Sequence, residues 1–85
     1  MSKVTKKDFI EMQVRNLNSQ IEDLRKDIES CIKSIQDTAF TLTVDSSYNA
    51  EFLPTYANRI KENREKITEL NERIKMLNFM ESLED

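Results

Sequence analysis

From Ile10 onward the apolar side chains return at alternating steps of four and three. The run is Ile10, Val14, Leu17, Ile21, Leu24, Ile28, Cys31 and Ile35, with Thr38 and Leu42 keeping the phase. A 3.5-residue repeat holds one stripe on one side of a helix and makes the seam of a coiled coil. Val14, Ile21, Ile28, Ile35 and Leu42 share one seam position, and Leu17 and Leu24 share the other. Thr5 followed by Asp8 forms a capping box with Asp in place of Glu, so a first helix is predicted over about 5–43. Glu11 with Arg15, Glu22 with Lys26 and Glu29 with Lys33 add four-apart pairs worth about 0.2–0.5 kcal/mol each.

The same rhythm resumes at Leu53, Tyr56, Ile60, Asn63, Ile67, Leu70, Ile74 and Leu77, with Asn63 as its one polar member. Pro54 is tolerated in a helix's first turn and disruptive deeper inside, so a second helix is predicted over about 53–83. At 85 residues, with no Gly and about a third of the residues charged, the chain is one all-α domain spanning 1–85. The expected architecture is a long antiparallel, coiled-coil-like helical hairpin, with residues 44–52 as the connecting tip and the first four residues disordered. Setting Ile35 opposite Asn63 brings Ile28 to Leu70, Leu24 to Ile74 and Ile21 to Leu77. In that register Thr38 satisfies the Asn63 amide, and Asp27 is well placed for Lys66. Lys3, Lys6 and Lys7 then approach Glu81, Glu84 and Asp85 at the end where the termini meet.

That register leaves a remainder. Phe9, Ile10 and Met12 project past the partner helix, and "KMLNFMESL" adds Met76, Phe79, Met80 and Leu83 away from its seam. Two helices alone leave too much of this surface in water, so dimerisation into a four-helix bundle is expected. Phe9, Ile10, Met12, Phe79, Met80 and Leu83 are the predicted oligomerisation residues. A shift by one heptad covers more of the first helix but tightens the turn around Pro54.

Residues 38–56, "TAFTLTVDSSYNAEFLPTY", hold four of the six aromatics and no Lys or Arg. Phe40, Tyr48, Phe52 and Tyr56 are the candidate partner-binding residues, since aromatics in a neutral patch anchor interfaces. The same residues also suit the splayed end of a bundle. The first helix is expected to fray by Thr43, followed by an irregular turn across Val44–Asn49. The alternative is a strand pair, "FTLTV" against "YNAEFL", which resembles in topology the β-linked coiled coils of prefoldin subunits.

Little chemistry is on offer. The chain has no His, and Cys31 sits at a seam position among aliphatic residues, where a free Cys acts as a small hydrophobe. Glu62, Glu65, Glu69 and Glu72 alternate with Lys and Arg as a solvated face does. No metal site, cofactor or enzymatic activity is expected. "LRKDIESCIKSI", residues 24–35, resembles the first helix of the all-helical chorismate mutases, with Arg25 at the first substrate-gripping position. That family's further basic residues have no counterpart, because residues 34–58 contain no Lys or Arg. Arg59, Lys66 and Arg73 fall seven apart in one column beside the seam and are the candidate anion or ligand contacts. Pairing with the opposite helix is the plainer reading of that column.

The expected function is therefore a non-enzymatic, homo-oligomeric protein-interaction module: an adaptor, scaffold or inhibitor. The alternatives are a small-ligand (nucleotide signal) binder and a nucleic-acid binder using the basic column, the latter disfavoured by a net charge of −3. With one Cys and no long apolar segment, a cytoplasmic location away from membranes is expected. The acidic, Lys/Ile/Asn-rich composition resembles accessory products of bacteria and their phages.

Overall fold

Two long helices lie antiparallel against each other in the computed structural model, which describes residues 5–45 and 52–83. Helix α1 spans Lys6–Val44 and helix α2 spans Phe52–Ser82. The molecule measures 64 × 24 × 13 Å, a rod only one helix thick. The helical hairpin expected from the two seams is the observed fold. Residues 1–4, most of the tip (46–51) and residues 84–85 lie outside the described residues, and so do the expected disorder, the irregular turn beyond Asp45 and the approach of Lys3 to Glu84 and Asp85. Thr43 and Val44, expected to fray and to turn, are instead the last helical residues of α1.

The helix ends follow their capping chemistry. The Asp8 N–H donates to Thr5 Oγ1 at 3.0 Å, and the Thr5 N–H donates back to Asp8 Oδ2 at 3.4 Å, completing the capping box. At the far end "FTLTV" is the last turn of α1 rather than a strand, and the described residues contain no strand. The Thr41 hydroxyl donates to the Asp37 carbonyl at 2.9 Å and the Thr43 hydroxyl to the Phe40 carbonyl at 2.6 Å. β-Branched threonines are accommodated in a helix by this bond back to the preceding turn, and here it outweighs their strand preference. The Asp45 N–H closes the helix on the Thr41 carbonyl at 2.8 Å. Pro54 stands in the first turn of α2, where its missing N–H breaks no bond.

The register differs from the expected one by a heptad. Leu70 packs with Leu17 and Ile21, and Leu24, Ile67, Ile74 and Leu77 close around them. Asn63 donates to Asp27 at 2.7 Å rather than meeting Thr38. Counting outward from these contacts, Ile10 comes level with Glu81, so the two helices end within one turn of each other at the termini. Ile10 is buried there and does not overhang, because the last turns of α2 lie alongside it. The shifted register covers more apolar surface, and that gain outweighs the tighter turn. At the tip, Phe52 comes level with Ala39, so the final turn of α1 runs on past the start of α2.

A two-helix rod has one seam and no second layer. Among the described residues only Ile10, Leu17, Ile21, Cys31 and Leu70 are buried, with Leu70 at 1% exposure. Each buried side chain therefore carries a large share of the packing.

Candidate interaction surfaces

Large apolar side chains that stand in solvent gather at the two ends of the rod. Phe40 and Val44 are exposed at the tip, and Phe9, Met12, Met76, Phe79, Met80 and Leu83 at the terminal end. Only Ile32 lies between them among the described residues. Five of the six residues predicted for oligomerisation are in the terminal group, and Ile10 is the exception, taken up by the seam. Met76, legible as off-seam, joins the group at 66% exposure.

The terminal group has a definite geometry. Met76, Phe79, Met80 and Leu83 are spaced i, i+3, i+4, i+7, which makes a second stripe on α2 about 140° around from the Leu70–Leu77 seam at 100° per residue. Met76 and Met80 also form one wall of a groove with Arg73 and Leu77, whose other wall is Gln13 and Leu17 of α1. Phe9 lies on the same side of the hairpin by its place in the heptad, and Met12 on the outer face of α1. Three of the six exposed residues are Met, a side chain that adapts its shape to different apolar partners.

The tip is less aromatic on its surface than its composition suggests. Phe40 is 68% exposed, while Tyr56 is half-buried at the α2 seam, close enough to Arg59 to act on its charge. Tyr48 and the side chain of Phe52 lie outside the described residues. Val44, which composition did not single out, is exposed beside Phe40 because the last turn of α1 outruns α2.

The basic column splits into individual roles. Arg59 donates to Asp27 through Nε, at 2.7 Å to Oδ2, and through Nη2 to Oδ1. The Asn63 hydrogen bond, helped by Arg59, holds the Asp27 carboxyl below its ordinary 3.8 in spite of partial desolvation. Arg59 is in turn held more firmly protonated, first by its hydrogen bond to Asp27 and then by that carboxylate's charge. Lys66 does not reach Asp27. It sits 3.6 Å from Glu69 on its own helix, because the heptad shift hands its expected partner to Arg59. Arg73 borders the terminal groove. The column thus ties to the opposite helix at one position.

Cys31 is a buried free thiol at 3% exposure, packed as a small hydrophobe in the seam. Among the described residues no three His, Cys, Asp or Glu side chains come together as a metal site, and no helix is long and apolar enough to cross a membrane. No protein-family model matches this chain, and no curated protein or solved structure matches it either.

Proposed function

We propose that this protein is a non-enzymatic interaction module, a stiff helical hairpin that self-associates through its terminal end and presents its tip to a protein it scaffolds, adapts or inhibits. One observation carries the reading. Exposed Phe, Met, Leu and Val side chains sit at the two ends of a rod whose middle is polar apart from Ile32. Scattered apolar residues need no explanation, but grouped ones mark interaction sites. Separate groups at opposite ends suit a protein that joins two things.

Affinity capture from the native host tests the tip. Phe40→Glu with Val44→Ser should abolish capture of a specific protein while leaving the thermal melt unchanged, since neither side chain contributes to the seam. Capture that survives both this pair and substitutions at Met76 and Phe79 would end the reading.

A further inference from the structure

We infer that the terminal stripe of α2 is covered by the same stripe of a second copy. The two hairpins then join end to end about a two-fold axis between Phe79 and Met80. This inference rests on the self-association named above and adds its geometry: an extended dimer with its two tips at opposite ends, in place of a side-by-side four-helix bundle.

The spacing of the stripe supplies the first argument. An i, i+3, i+4, i+7 pattern reads the same in both directions, so an antiparallel copy sets Met76 against Leu83 and Phe79 against Met80, and the reverse, with no residue left over. That self-complementarity is what a two-fold interface requires.

Area supplies the second. Phe9, Met76, Phe79, Met80 and Leu83 are each about half to two-thirds exposed. At about 200 Å² for a large side chain, they offer roughly 600 Å² per chain. A lone apolar patch on a monomer is usually about 300–600 Å², and a stable interface takes about 800 Å² per partner once its polar rim is counted. The patch lies at the upper end of the first range and supplies the apolar centre of the second.

Charge disfavours the compact arrangements. Hairpins side by side and parallel would set Arg59, Lys66 and Arg73 against their own copies, because this column runs along the same flank as Met80. Of the three, only Arg59 is paired with an acid of α1. Full-length antiparallel overlap would instead lay the stripe on Pro54, Thr55 and Asn58 near the tip, and would set Glu62 against Glu72 and Glu65 against Glu69 of the copy. End-to-end pairing overlaps only the last turns, where the charged residues of α2 are Lys75 and Glu81, and Glu81 is half-buried at the seam.

Sedimentation equilibrium with small-angle X-ray scattering decides the matter on the full chain. The expected result is a dimer about 110 Å long, two 64 Å rods sharing roughly 15 Å of overlap at 1.5 Å per residue. Met80→Glu should give a helical monomer of single-rod length. Should that variant fail to fold, Met80→Cys in a Cys31→Ala background tests the same axis: mild oxidation should cross-link it, and Phe40→Cys in that background should stay uncross-linked. A dimer no longer than one rod overturns the end-to-end geometry and leaves self-association standing. A wild-type monomer at high micromolar concentration overturns both.

Discussion

Asp27 of α1 and Arg59 of α2, 32 positions apart in the chain, meet in a two-point ion pair, and Asn63 donates to the same carboxylate from one turn further along. One acid thus gathers two side chains of the opposite helix and locks the sliding coordinate of the hairpin. A polar residue in an apolar seam sets register in the same way, because every other alignment strands it without a partner.

A double-mutant cycle checks this alignment. Substitutions to Ala at Asp27 and Arg59 should be non-additive in their effect on the thermal melt, while Asp27 and Lys66 should add independently. Coupling to Lys66 in place of Arg59 would return the hairpin to the register read from the seam alone.

Acid should weaken the lock. A carboxyl held below its unfolded value stabilises the fold above that value, and the contribution disappears as pH falls through the lowered folded one. Wild type and Asp27→Asn should therefore show a constant offset in melting temperature at neutral pH. The two curves should converge below about pH 4, where the free carboxyl also protonates. An offset that persists to strong acid contradicts the assignment.

Leu70 is the most enclosed side chain of the core. Leu70→Ala should cost about 2–5 kcal/mol in urea unfolding, since the seam has no second layer to collapse into the cavity. Leu83→Ala, at 68% exposure, should change the stability of the monomeric hairpin far less. Comparable losses at both sites would show Leu83 to be part of the fold of the single chain.

The capping box offers a local check. Thr5→Ala removes the acceptor of the Asp8 N–H and should cost about 0.5–2 kcal/mol. Amide exchange should speed up in the first turn of α1 and remain slow around Ile21. Unchanged exchange at the first turn would mean that the cap contributes nothing in solution.

Both helices were legible in the chain because their cues are local. The four-three rhythm, the Thr5–Asp8 box and Pro54 each act within one or two turns. "FTLTV" was harder to read: alternation and β-branching pointed to a strand, while the bonds from Thr41 and Thr43 to the carbonyls behind them form only once the helix reaches that far. The terminal stripe was visible as surplus apolar residues off the seam. That Ile10 would leave this group, and that Val44 would join Phe40 at the tip, depended on how far one helix had slid along the other.

That sliding coordinate divides what the chain determined alone from what tertiary structure decided. A heptad seam states which faces meet, and the pattern is unchanged when one helix moves by seven residues. Lys66 and Arg59 occupy equivalent places in their column, and either would suit Asp27 by spacing alone. Only in the folded hairpin do Asn63, Arg59 and Asp27 come together while Leu70 fills the space between Leu17 and Ile21. Periodicity selects the face. The sum of buried area and satisfied polar groups, which exists only once both helices are in place, selects the register.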